Sequence, residues 1–139
     1  MTYQPVTATF KWRTVSGVVR EKLGRDEVPV WITRKRIAEH LYPNREIKDL
    51  MAVEWNGVVD FTNMLYQTVS IEGFVEIPPP DAPFEKVLEF YNAVMDMPAS
   101  FQKSWVDAID NLNSSENDFL APSNANKPEV TSNNASDAG

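Results

Sequence analysis

The sequence predicts a mainly α-helical domain with a small N-terminal β element, an α+β fold, followed by a disordered tail. Residues 7–15 alternate apolar and polar side chains, as a half-buried strand does. Large apolar residues in the middle of the chain recur at helical spacing, and they almost disappear after Asn113. A segment so poor in apolar residues cannot offset the entropy of its own ordering. We therefore predict one compact domain at 1–113 and a disordered acidic polar tail at 114–139.

The N-terminal strands are predicted within residues 7–32. The alternating stretch at 7–15 is the first strand, and Val28–Ile32 is the second, where Pro29 restricts it to an edge or to the start of a strand. The intervening Ser16–Leu23 is compatible with a short helix capped by its serine or with a turn at its Ser-Gly pair. These runs predict a small sheet or hairpin.

Four helices are predicted, at 33–42, 45–71, 84–97 and 100–112. Thr33 is the expected N-cap of the first helix, and Pro43 ends it. Asn56-Gly57 within the second helix is also a strong signal for a β-hairpin turn. We favour the helix there, because its apolar stripe continues on both sides of the Asn-Gly pair.

The last two helices are predicted to pack as a helical hairpin at the C-terminal end of the domain. Only Met97-Pro98-Ala99 separates their apolar stripes, and so short a connector joins neighbouring helices. Tyr91 and Trp105 should then be buried near the centre of the hairpin. The proline-rich stretch at 78–83 before it predicts an extended spacer.

Charge is distributed unevenly along the chain. The net charge is −7, with +4 on residues 1–50 and −11 on residues 51–139. This polarity can orient a partner or join copies head to tail in a homo-oligomer, and the acidic part disfavours nucleic acid as a partner. No leader peptide or long apolar run is present, which predicts a soluble cytoplasmic protein without a membrane partner.

Residues for catalysis or cofactor binding do not form a recognisable pattern. The chain has no cysteine, its glycines form no nucleotide-binding motif, and the single histidine, His40, has no nucleophile or metal ligand at local spacing. Asp107 and Asp110 fit the solvent face of a helix. The basic run Arg34-Lys35-Arg36 is a weak signal for phosphate binding. We therefore predict a protein that is not an enzyme, with no cofactor and no metal, and that acts by binding other proteins.

Residues 65–113 resemble the tail assembly chaperones of long-tailed bacteriophages. The similarity lies in the segments YQTVSIEGF at 66–74, FYNAVMDMP at 90–98 and WVDAIDNLN at 105–113. The resemblance implies a small, mostly helical protein of the host cytoplasm that binds the tape measure protein. It would keep the helices of that protein in solution and help tail-tube subunits polymerise around it.

Under this resemblance the partner would lie in a groove between the helix at 45–71 and the hairpin at 84–112. The residues expected to contact it are Trp55, Phe61, Leu65, Leu88, Tyr91 and Trp105, with Phe119 and Leu120 as a short linear anchor in the tail. For the aromatic residues among them, helical spacing favours core packing over contact with a partner. The alternative function is an acidic inhibitor or host-takeover protein that blocks a basic site on a host enzyme.

Overall fold

A three-stranded antiparallel sheet and four α-helices form the part of the chain that the structure describes. The structure is a computed structural model that describes residues 2–79 and 81–120, the last six as helix backbone alone. In chain order the elements are β1 (Thr7–Trp12), β2 (Val15–Arg20), α1 (Glu27–Leu41), α2 (Ala52–Gln67), β3 (Thr68–Glu72), α3 (Phe84–Met95) and α4 (Ala99–Leu120). The predicted α+β class is confirmed.

The sheet has the order β1-β2-β3, and its second strand is not the predicted one. β1 and β2 form a hairpin in which Trp12 pairs with Val15 across a two-residue turn, and Arg13 in that turn has a φ of 52°. Val15 and Val19 of β2 are buried and alternate with half-buried residues. This alternation, which the prediction overlooked, makes Ser16–Leu23 mostly strand.

Val28–Ile32, predicted as a strand, is helical instead. α1 begins at Glu27, not at Thr33, and ends one residue before the predicted end. Pro29 lies in the first turn, where a missing N–H loses no intrahelical hydrogen bond. Thr33 is therefore not an N-cap, and its hydroxyl is hydrogen-bonded to that of Tyr66 at 2.9 Å.

α2 passes through Asn56-Gly57, so the hairpin alternative is excluded. The helix is nevertheless shorter than the predicted 45–71. At its start the Glu54 carboxylate accepts a hydrogen bond from the Met51 N–H at 2.9 Å, which satisfies one of the free donors of the first turn. At its end the chain passes without a loop into β3, where β-branched residues favour a strand.

The last two helices begin at Phe84, as predicted, and at Ala99, one residue before the predicted start, but neither ends where predicted. α3 ends at Met95, two residues early, and α4 extends to Leu120. The boundary predicted at Asn113 is therefore not the end of the helix, and residues 121–139 of the predicted tail lie outside the described residues. α4 packs mainly on β1 and α2, and it meets α3 where the rings of Phe90 and Trp105 are 6.1 Å apart.

Trp105 lies at the centre of the core. Its side chain is fully buried, its ring stacks on Phe10 at 5.0 Å, and its Nε1 donates a hydrogen bond to Thr68 Oγ1 at 2.8 Å. Phe101 and Phe74 both pack edge-on against it, and their own rings are tilted with centres 4.9 Å apart. This aromatic cluster joins α4 to the sheet. Among the described residues, no helix combines the length and the apolarity needed to cross a bilayer.

Candidate protein-binding surface

Three of the residues predicted to contact a partner lie in the core. Phe61, Leu65 and Trp105 are 4%, 6% and 0% exposed. Their stripes on α2 and α4 face the core, as the core-packing alternative expected, so these side chains are not available on the surface. For the predicted anchor, Phe119 and Leu120, the structure describes the helix backbone and not the side chains.

Leu88 and Tyr91 on α3 are half-buried. Tyr91 packs edge-on against Phe61 with the ring centres 5.0 Å apart, and burial, with a smaller effect of Tyr42, raises the pKa of its hydroxyl. A cavity of about 620 Å³ lies between α3 and residues 75–79 and 81–83 of the connector, and neither Leu88 nor Tyr91 is among its lining residues. Within the described part of the chain, no ring contact joins Tyr91 to Trp55.

Trp55 instead forms a pair with Trp31, which the prediction did not include. The two indole rings meet edge-on at 5.9 Å. Val28, Trp31 and Ile32 of α1 are 67%, 50% and 51% exposed, and Trp55 of α2 is half-buried. We call these four residues the Trp31–Trp55 surface. Paired indole rings beside exposed aliphatic side chains are typical of protein-binding sites.

The position of helix α1 produces this surface. From a start at Glu27, Val28, Trp31 and Ile32 follow at the spacing i, i+3, i+4 and share one face. Val30 and Ile37 point the other way and are buried. Asp26 before the helix and Pro29 in its first turn were the sequence signals for this start, but the strand interpretation concealed them.

Two cavities lie along α1, and Trp31 lines the first of them. The first, of about 300 Å³, is lined by Lys22, Asp26, Glu27, Val30, Trp31 and Arg34. The second, of about 470 Å³, lies toward the C-terminal end of the helix and has Lys35, Ala38, Ile47 and Leu50 among its lining residues. Trp31, Lys35 and Ala38 follow at i, i+4 and i+7, so both cavities adjoin the same side of α1.

Arg34, in the wall of the first cavity, is held by neutral acceptors. Its Nε donates to Thr62 Oγ1 and its Nη2 to Asn63 Oδ1, both at 2.7 Å. Burial lowers the pKa of the guanidinium, and the attraction of Asp60 opposes this effect. Within the described part of the chain, Arg34 takes part in none of the ion pairs.

Asp26, in the same wall, has its charge balanced internally. Its two carboxylate oxygens accept hydrogen bonds from Arg20 at 2.8 and 3.1 Å, and one of them also accepts the Leu23 N–H at 3.0 Å. Burial alone would raise the pKa of Asp26, but these hydrogen bonds together with the positive charges of Arg20 and Arg25 outweigh it, and the pKa is lowered. Asp26 therefore contributes little free negative charge to the cavity.

The other ionisable residues considered from the sequence lie away from this surface. His40 is exposed, with its ring 6.3 Å from that of Phe84. Burial raises the pKa of Asp110 on α4 to about 6, with smaller effects of Asp60 and Asp107. Among the described residues, no group of three or more histidine, aspartate or glutamate residues is placed to hold a metal ion.

Comparisons with protein-family models, with curated proteins and with solved structures give no match for this chain.

Proposed function

We propose that this protein binds an amphipathic helix of another protein on the Trp31–Trp55 surface and has no catalytic role. In line with the resemblance described above, we further propose that it is a bacteriophage tail assembly chaperone whose partner is the tape measure protein. The observation that carries the proposal is the contact of Trp31 with Trp55, in which Trp31 is half exposed beside exposed Val28 and Ile32.

The energetics favour a bound partner at this surface. Each Å² of apolar surface removed from water contributes about 25 cal/mol, and tryptophan is enriched among the residues that dominate binding energies. Trp31 already packs against Trp55, so little side-chain freedom remains to be lost on binding. A partner that covers both rings gains apolar contact at a low entropic cost.

The spacing of the two cavities fits a helix. Val30 lines the first cavity and Ala38 lines the second, and eight residues of α1 correspond to about 12 Å along the helix axis. Side chains at i and i+7 or i+8 of a second helix are separated by a similar distance. A helix laid along α1 would place one side chain in each cavity and cover the tryptophans between them.

This mode of binding would support tail assembly. A tape measure protein has long amphipathic helices that aggregate when their apolar faces are uncovered, and helix-in-groove binding masks such faces. The net charge of −7 would keep the complex dispersed until tail-tube subunits replace the chaperone.

The test is co-expression with the tape measure protein of the same virus, with the fraction of that protein in the supernatant as the readout. Trp31→Ala and Trp55→Ala should each lower this fraction and weaken binding by roughly tenfold or more, as expected for hot-spot residues. Val69→Ser is the matched control for Val28→Ser. The two valines are 58% and 67% exposed, but only Val28 belongs to the Trp31–Trp55 surface. Equal binding by all four variants and the wild type would refute the proposal.

Salt distinguishes this function from the acidic inhibitor. Apolar binding at the tryptophans should persist when the salt concentration rises from about 0.05 to 0.5 M, whereas charge mimicry should be lost over that range. Binding that disappears in high salt and is insensitive to Trp31→Ala would support the inhibitor.

A further inference from the structure

We infer that the helix bound on the Trp31–Trp55 surface is acidic and places a carboxylate in the cavity beside Trp31, where Arg34 and Lys22 receive it. This inference rests on the proposed function and specifies the chemistry of the partner. It runs against the overall charge of the chain, because a net charge of −7 would by itself favour a basic partner.

The segment that carries Val28, Trp31 and Ile32 has a charge of opposite sign to that of the whole chain. Residues 20–36 contain six Lys or Arg and three Asp or Glu, which gives this segment a charge of +3. Lys22, Arg25, Lys35 and Arg36 within it are exposed. Over the short range of electrostatic interactions in physiological salt, a bound helix experiences this local charge more strongly than the distant acidic half.

Arg34 has unused capacity for an anion. A guanidinium has five N–H donors, and the hydrogen bonds to Thr62 and Asn63 use two of its nitrogens. Both acceptors are neutral, so within the described residues the positive charge has no carboxylate at ion-pair distance. Arg34 lines the cavity, and a carboxylate that enters it would form a charge-assisted hydrogen bond in a partly desolvated site.

The carboxylates near the cavity do not neutralise its positive charge. Asp26 is engaged by Arg20, and Asp60 attracts Arg34 from α2 without forming an ion pair in the described part of the chain. Glu27 is exposed in the first turn of α1 and is the one lining carboxylate of the cavity without a described ion pair. The negative charge of Glu27 is outweighed by the positive charges of Arg34 and Lys22 and by the positive end of the α1 dipole.

The experiment compares two synthetic helical peptides of equal length and helicity. Both carry leucine at i, i+3, i+4 and i+7, and the polar face is glutamate in one and lysine in the other. The full chain should bind the glutamate peptide about tenfold more tightly at low salt, and the difference should shrink as salt screens it. Tighter binding of the lysine peptide would overturn the inference.

Charge reversal on the protein locates the effect. Lys22→Glu should abolish the preference for the glutamate peptide, and Arg34→Gln should reduce it. Lys11→Glu is the matched control, because Lys11 is also exposed but lies on β1, so it should leave the preference intact. If Lys11→Glu weakens binding as much as Lys22→Glu does, the effect is one of overall charge and the inference is wrong.

The two proposals fail in different ways. If Trp31→Ala weakens both peptides equally and neither peptide is preferred, the proposed function stands and the acidic partner is refuted. A short DNA duplex in the same assay tests the other anion that Arg34, Lys35 and Arg36 could bind. Competition by this duplex against the glutamate peptide at equal salt would show a phosphate-binding surface and overturn the inference.

Discussion

Gly17 lies on the central strand β2, opposite Phe10 of β1, at a position with no space for a side chain. A Cβ atom added there would lie 2.5 Å from Phe10 Cε1, 3.0 Å from Phe10 Cζ and 3.0 Å from the carbonyl oxygen of Ser70. The Phe10 ring cannot easily move away, because it stacks on the fully buried Trp105 at 5.0 Å. Gly17→Ala should therefore force a shift in the sheet and in the aromatic cluster together.

The expected loss of stability follows from two opposing effects. Adding a methyl group to a packed core usually destabilises a protein by about 1–3 kcal/mol. Replacing glycine also restricts the unfolded chain, which stabilises the folded state by roughly 0.4–1 kcal/mol. Gly17→Ala should lower the free energy of unfolding by about 1–2 kcal/mol, which corresponds to a fall of roughly 1 M in the urea midpoint.

Gly57→Ala is the matched control, because the same methyl group added there meets no atom within 4 Å. Gly57 lies inside α2, where alanine is favoured over glycine by about 0.8–1 kcal/mol, so this variant should be more stable than the wild type. Urea unfolding followed by tryptophan fluorescence measures both variants. A Gly17→Ala protein as stable as the wild type would refute the packing argument, and a destabilised Gly57→Ala would contradict the helix through Asn56-Gly57.

Three further predictions concern buried or charged groups, each read from urea midpoints. The pKa of Asp110 is raised from 3.8 to about 6, so its contribution to stability falls as the pH rises through that interval. Asp110→Asn should remove this dependence and stabilise the protein above pH 7, by less than about 1 kcal/mol because the side chain is only partly removed from water and its charge is screened. The pKa of Asp26 is lowered from 3.8, so its contribution to stability is present above pH 3.8 and is lost as the pH falls through the pKa of the folded state. Asp26→Ala should lower the free energy of unfolding by about 3 kcal/mol at pH 7, because the largely buried Arg20 loses its ion-pair partner. Trp105→Phe removes ring volume and the hydrogen bond to Thr68, for a loss of about 2 kcal/mol, whereas no change would show that the core tolerates the smaller ring.

Helices with a clean apolar stripe were predictable from the sequence. α3 begins at Phe84 as expected, and Val87 and Val94 of its predicted stripe are buried. The buried face is nevertheless rotated from the predicted one, because Phe90 outside the stripe is buried and Met95 within it is exposed. The continuation of α2 through Asn56-Gly57 also followed from its stripe, because tertiary packing of Val58 and Phe61 outweighs the local turn preference.

The sequence pattern gave the wrong secondary structure where a short run of β-branched residues is compatible with both a helix and a strand. Val28–Ile32 is β-branched and aromatic, but the helix start at Glu27 places it in α1. β3 was included in a helix, since only its pairing with β2 distinguishes it as a strand. Long-range pairing of this kind leaves little trace in a single sequence.

The tryptophan pair shows the same limit at the candidate site. Trp55 was singled out for its chemistry, but Trp31 was assigned to a strand and so was not considered. Their 5.9 Å contact depends on how α1 and α2 pack, which periodicity within one helix does not reveal. Phe61 and Trp105 illustrate the converse, because an aromatic stripe at helical spacing gives the same signal for a core as for an interface.

The β1-β2 hairpin depends on partners that are synthesised much later. Ser16 of β2 pairs with Glu72 of β3, and Phe10 of β1 stacks on Trp105. While the chain leaves the ribosome, the hairpin must therefore remain with its aromatic face in water until α4 has also emerged. Because these contacts join residues far apart in the sequence, the hairpin should be completed only when the whole domain folds. A nascent chain that stalls before α4 would present the face of Phe10 and Trp12 to the chaperones of the cell.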